Sequence, residues 1–164
     1  VITVNPSVPA NSLQELIDLI RANPGKYSFA SPGAGTQAHL AGEQLRISLG
    51  FDLVHVPYNG AGPAIASVVA GHTPIGVSTL ATASPHLRES KLRALAVTAK
   101  TRSQVERDVP TTTELGYSQI EGDSWVGVLV PRGNTQGDRK TVASRAHGRY
   151  GAAGNQRASD FARV

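Results

Sequence analysis

One pattern recurs three times between residues 27 and 88: a short apolar run, a turn rich in Gly, Pro, Ser or Asn, and a helix-like stretch. Tyr27 to Ser31 leads into "SPGAGT", and the helical run behind Thr36 ends at Gly50. Leu53 to Val56 leads into Pro57-Tyr58-Asn59-Gly60, and the next run starts around Pro63, where a first-turn proline belongs, and closes at Gly71. Ile75 to Ser78 forms the third strand, with a short helix expected around Pro85 to Glu89. Strands that alternate with helices in this way need crossover connections, so the chain is expected to build a parallel or mixed α/β sheet. On such a sheet, ligands gather where strand ends meet helix starts.

The flanks extend the pattern. Val1 to Val4 reads as a buried strand closed by Asn5-Pro6. Ser12-Leu13-Gln14-Glu15 has the form of a capping box, with Leu13, Leu16, Ile17 and Ile20 on one helical face and Asn23-Pro24-Gly25 as the stop. Leu92 to Thr98 is a further strand, a loop and a short helix are expected around Asp108 to Gly116, and Ser124 to Val130 reads as a last strand ending at Pro131, with Trp125 in its core.

The pI of 9.8 raises the question of nucleic acid, and the distribution of charge answers it. Residues 1 to 134 hold 10 basic and 10 acidic side chains, while residues 135 to 164 hold 6 and 2 and so carry the whole net charge of +4. A basic stripe interleaved with aromatics is absent from the body, which excludes a nucleic-acid face there. Residues 135 to 164 are rich in Gly, Ala, Ser and Arg without a sustained period, a composition that suits disorder or a weakly held helix. With no cysteine, the chain has no disulfides, thiolate metal sites or cysteine nucleophiles; with no methionine and Val1 first, it reads as a processed product or a fragment.

The corner "ASPGAGTQAHLAGE" brings backbone N–H groups together at a helix start, which suits an anion. Gly33-x-Gly35-x-x-Ala38 fits the loosest dinucleotide fingerprint, but the acid that should follow the next strand is replaced by Pro57-Tyr58. No lysine follows the glycines, so a P-loop is excluded as well. A small carboxylate fits better: Ser31, Thr36 and the amides of Gly33 to Gln37 are neutral donors at the positive end of a helix dipole. A plain tight turn with an N-cap accounts for this segment taken alone. Two further strand ends, Tyr58 to Gly62 and Ser78 to Thr82, repeat the chemistry, and together the three would form one polar, uncharged pocket. His39 falls on the first turn behind the glycines, within reach of a ligand or suited to packing and capping. The five histidines show no metal-type spacing, and neither a nucleophile elbow nor a carboxylate pair stands out.

The runs "ASPGAGTQAHLAGEQL", "HVPYNGAGPAIASVVAGH", "LRALAVTAKTRS", "DVPTTTELGY" and "SWVGVLVP" resemble, in order and spacing over residues 1 to 134, the substrate-binding proteins of tripartite tricarboxylate transporters, the Bug family. The resemblance implies a type II periplasmic-binding-protein-like α/β fold and a periplasmic, monomeric, non-enzymatic protein. Such a protein uses neither cofactor nor metal and hands a small carboxylate or amino-acid-like ligand to membrane permease subunits. It implies a second lobe over about residues 5 to 120, a returning first-lobe strand over about 121 to 131, and an atypical, poorly ordered tail over 135 to 164. Ser31, Gly33, Gly35, Thr36, Tyr58, Ser78 and Thr79 are the expected ligand contacts, with His39 and Thr82 behind them. The first-lobe loop that completes such a cleft has no counterpart here, so the chain is expected to be an N-terminally truncated member that binds weakly or not at all. Ser90 stands where the family tends to have glycine. The rival reading is a small nucleotide- or phosphate-binding α/β enzyme domain using the same glycine corner.

Overall fold

The computed structural model describes residues 1–123, 131 and 133–150, with side chains of the last helix described up to residue 145. The chain divides into two compact units, Val1–Ser124 and Trp125–Val164, a boundary that falls before the change in composition near residue 134. The strand expected over Ser124 to Val130, with Trp125, lies outside the described residues.

The first unit is a five-stranded mixed sheet, β1 (Ile2–Val4), β2 (Ser28–Ser31), β3 (Val54–Pro57), β4 (Ile75–Val77) and β5 (Arg93–Ala96), in the order β3-β2-β4-β1-β5. β2 runs parallel to both β3 and β4, while β1 is antiparallel to β4 and β5. The carboxyl ends of β2, β3, β4 and β5 therefore share one edge. β1 enters at that edge: the Val1 nitrogen donates to the Ser78 carbonyl at 2.7 Å, and the Ser78 amide donates to the Val1 carbonyl at 3.1 Å. The chain leaves β5 at the same edge, where Thr98 and Gly122 pair through Gly122 N to Thr98 O at 2.9 Å and Thr98 Oγ1 to Gly122 O at 2.9 Å.

Helices cover both faces of the sheet. On one face lie α1 (Leu13–Arg21) and α2 (Gln37–Leu49). α1 buries the four positions its periodicity marks, Leu13, Leu16, Ile17 and Ile20, against Phe29, Ile75 and Val77. Its N-terminus is held by Ser12, whose side chain accepts from the Glu15 amide, and Glu15 answers by accepting from the Asn11 amide at 2.7 Å. α2 buries Ala38, Ala41, Gly42 and Leu45. Gly42 is needed for contact: a Cβ there would lie within 2.8 Å of three atoms of the Phe29 ring.

The other face carries α3 (Ala61–Val69) and α4 (Leu80–Arg88), with Ala64, Ile65, Val68 and Ala83 packed around Ala30. Gly76 on β4 makes room for Val68, since a Cβ there would meet Val68 Cγ2 at 3.0 Å and Thr3 Oγ1 at 2.9 Å. Asn5 ties the far end of α3 by donating from Nδ2 to the carbonyl of Val68 at 2.8 Å.

Two expectations about elements are corrected. α4 begins at Leu80 instead of near Pro85 and carries Pro85 inside it, because Thr79 turns the chain directly off β4. Pro85 costs one backbone bond, leaving the Ala81 carbonyl without its usual donor. Between β5 and residue 123 no helix forms; Thr111 bridges to Val97, and Thr112 Oγ1 donates to the Ile120 carbonyl at 2.6 Å, so turns fill the segment.

The second unit is described as α5 (Gln136–Tyr150). Thr135 and Asp138 cap it reciprocally: the Asp138 amide donates to Thr135 Oγ1 at 3.2 Å, and the Thr135 amide donates to Asp138 Oδ2 at 3.1 Å. Its described side chains are exposed but for Val142, which is half-buried.

Candidate functional site

β3, β2 and β4 are neighbours and parallel, and each ends at the start of a helix: β3 at α3, β2 at α2, β4 at α4. α2 lies on one face of the sheet and α3 and α4 on the other, so the edge around β2 and β4 is a topological switch point. The three strand ends marked by sequence are thus brought to one place.

The glycine corner is tied to the second strand end through its backbone. The Tyr58 amide donates to the Ser31 carbonyl at 3.0 Å, and the Gly60 amide donates to the Pro32 carbonyl at 2.9 Å. Gly33 and Gly35 take φ of 143° and 77°, values that side-chain-bearing residues rarely adopt, which explains glycine at both positions.

Within the corner most polar groups have partners already. The Gly33 amide donates to Ser31 Oγ at 3.2 Å, the Thr36 amide to the Gly33 carbonyl at 3.3 Å, and the Gly35 amide to His39 Nδ1 at 3.2 Å. Thr36 Oγ1 donates to the Gly33 carbonyl at 2.7 Å and accepts from the His39 amide at 3.3 Å, so it caps α2. Ser31 Oγ lies 2.7 Å from His55 Nε2. Of the amides from Gly33 to Ala38, those of Ala34, Gln37 and Ala38 have no intramolecular acceptor among the described hydrogen bonds.

The other two helix starts are more open. Gly60 and Thr79, the residues that open α3 and α4, make no side-chain cap. The first-turn amides of Ala61 and Gly62, and of Leu80, Ala81 and Thr82, therefore point out unfilled. Thr79 Oγ1 and Thr82 Oγ1 are 2.9 Å apart on the surface of α4's first turn.

Tyr58 and Ser78 turn their hydroxyls elsewhere. Tyr58 Oη is 2.5 Å from Ser67 Oγ and 3.0 Å from Thr73 Oγ1, and those two are 2.9 Å from each other. The bonds to Ser67 and then Thr73 hold the phenol below its ordinary range. Ser78 is buried, with Oγ 3.4 Å from the Thr79 carbonyl. The structure thus brings together Ser31, Gly33, Gly35, Thr36 and His39 in one corner, Tyr58 beside it through the backbone, and Ser78, Thr79 and Thr82 at the adjoining strand end.

His55 on β3 is not among the contacts expected from the sequence. Its ring stacks on Phe29 at 4.8 Å between centroids and lies 4.1 Å from the His39 ring. Burial, and after it the neighbouring His39, push the His55 imidazole below its usual pKa, with Glu43 opposing. The signal was the parallel register: Phe29 pairs with His55, so a polar residue inside the apolar run of β3 stands on the face that carries Ser31. No group of three or more His, Asp or Glu side chains converges as a metal cage among the described residues.

Comparison with known proteins places this geometry in a group. A family model described as the tripartite tricarboxylate transporter family receptor matches residues 1–143. Protein BugT of Bordetella pertussis (strain Tohama I) is 35% identical over 133 residues, which is 81% of this chain and 41% of BugT. Among solved structures, Rpa4515 of R. palustris with adipate superposes with a TM-score of 0.83 at 28% identity, over 92% of this chain and 52% of that one. MatC from Rhodopseudomonas palustris with bound malate gives 0.78 at 26% identity, over 87% and 50%. The chain therefore spans about two fifths of BugT's length and about half of each of these structures, the extent of a single lobe.

Proposed function

The chain belongs to the tripartite tricarboxylate transporter receptor family, a family of receptors and not of enzymes, and from that premise we propose that it forms one half of the cleft in a periplasmic solute-binding protein. The ligand is a small carboxylate-containing metabolite, which the intact protein passes to the membrane permease subunits of the transporter. One observation carries the reading: three neighbouring parallel strands deliver three helix N-termini, each with unfilled amides and no charged side chain in its first turn, to a single edge. A carboxylate is stabilised there by neutral donors and by the positive ends of the helix dipoles, without the desolvation that a paired charge would cost.

The expected contacts divide into two kinds. The amides of Ala34, Gln37 and Ala38, those at the starts of α3 and α4, and the hydroxyls of Thr79 and Thr82 face the ligand. Ser31, Gly33, Gly35, Thr36, His39, Tyr58 and Ser78 shape the edge that presents them. The adipate and malate bound to Rpa4515 and MatC are of the class this chemistry accepts.

Thermal-shift and calorimetric titrations of the chain with adipate, malate and nucleotides test the proposal. The dicarboxylates raise the melting temperature at millimolar concentration, with affinity weaker than micromolar because the donors of the first lobe are not engaged. A shift with nucleotides alone overturns the proposal and points to a phosphate-binding enzyme domain. Micromolar or tighter dicarboxylate binding would sink the half-cleft part of it.

A further inference from the structure

The glycine corner is held by two imidazoles. The Gly35 amide donates to His39 Nδ1 at 3.2 Å, which requires that nitrogen to be unprotonated. The Gly33 amide donates to Ser31 Oγ at 3.2 Å, and that oxygen lies 2.7 Å from His55 Nε2 but 3.3 Å from the Gly33 carbonyl. Ser31 Oγ and His55 Nε2 share one proton, and the imidazole tautomer sets which of the two donates. The Gly35 amide is thus oriented by an imidazole nitrogen acting as a base, and the Gly33 amide by a hydroxyl that a second imidazole holds.

We propose that His39 and His55 are positioning residues of the binding edge: His39 Nδ1 fixes the Gly35 amide, His55 holds the Ser31 hydroxyl that fixes the Gly33 amide, and a proton on His39 Nδ1 loosens the glycine corner. The rings are 4.1 Å apart at 37°, so they share one electrostatic environment. The groups facing His55 are Phe29 and Ser31 from β2, and His39 and Glu43 from α2; Glu43 is itself bound to Arg46 at 2.7 Å. Burial of His55 against Phe29 adds to the preference for the neutral form. A proton on His39 Nδ1 sets an N–H against the Gly35 N–H and breaks that bond.

This inference rests on the carboxylate reading for its effect on ligand binding, but its test needs no ligand. The full chain, labelled with 15N, is titrated from about pH 7.5 to about pH 5 across the histidine range. The Gly35 amide resonance is expected to move with the midpoint of the His39 imidazole. In His39→Gln, which keeps an acceptor but takes no proton, the Gly35 resonance stays near its neutral-pH position throughout. In His39→Leu, which fills the space without an acceptor, it is displaced at every pH. A Gly35 amide that stays still while the His39 imidazole titrates overturns the proposal, as do Gln and Leu variants with the same Gly35 behaviour. If His39→Leu does not fold, the wild-type titration and the Gln variant still decide. Adipate added to the wild-type chain at neutral pH reports separately on the carboxylate reading.

Discussion

Replacing Gly42 by alanine sets two effects against each other, and the structure says which wins. In the interior of α2 the change removes the conformational freedom of glycine, a gain of about 1 kcal/mol. The new methyl, however, would sit within 2.8 Å of three atoms of the Phe29 ring, where ordinary contacts between carbons are 3.5–4.0 Å. Phe29 is fully buried and stacked on His55, so the ring cannot simply swing away. Either the helix or the strand must shift by about 1 Å, and overpacking of this kind costs roughly 2–3 kcal/mol. The net expectation is a loss of about 1–2 kcal/mol, which lowers the melting temperature of a unit this size by about 4–8 °C. Gly62→Ala is the control, because a Cβ there meets nothing within 4 Å; it should be neutral or slightly stabilising. Phe29→Leu placed in the Gly42→Ala background should cost less than the two single changes added together. Calorimetric melts of the wild type, the three single variants and the double variant decide, and a Gly42→Ala chain as stable as the wild type or more so would refute the close-packing argument.

Three further changes probe separate features. Ser90 has φ of 55°, the left-handed region, so Ser90→Gly should raise stability by about 0.5–1 kcal/mol in a denaturant titration. Tyr58→Phe removes the hydroxyl shared with Ser67 and Thr73, which keep each other at 2.9 Å; a loss of about 1 kcal/mol with dicarboxylate thermal shifts unchanged is expected. Because the folded His55 pKa lies below its unfolded value, the unfolded chain binds more protons in that range. The associated stability is full above about pH 6.5 and is lost as pH falls through the folded value. Melting temperatures measured from about pH 8 to about pH 5 should fall more steeply in the wild type than in His55→Gln.

Local rules made much of the fold legible. Leu13, Leu16, Ile17 and Ile20 mark the buried stripe of α1 at helical spacing, and Ser12 with Glu15 marks its start. Thr36 and Gly50 bound α2 as its cap and its left-handed terminator. The three strand ends could be paired in advance because each precedes a helix, and the sheet order makes them neighbours. What local rules missed depends on contacts across strands. Nothing near His55 in the chain reveals Ser31, 24 residues away, and nothing near Tyr58 reveals that its hydroxyl belongs to Ser67 and Thr73. The same limit misplaced the start of α4, where Pro85 suggested a first turn but Thr79 supplied the actual one. It also hid the fact that the corner consumes most of its own donors.

The free donors of the α2 corner, on Ala34, Gln37 and Ala38, belong to the main chain. A substitution can alter the wall beside them, lengthening or shortening the space for a ligand, yet no side-chain replacement removes an amide proton except proline. On the proposed carboxylate reading, evolution can therefore change what the cleft selects, codon by codon, while the grip on the acid group passes unaltered from one variant to the next.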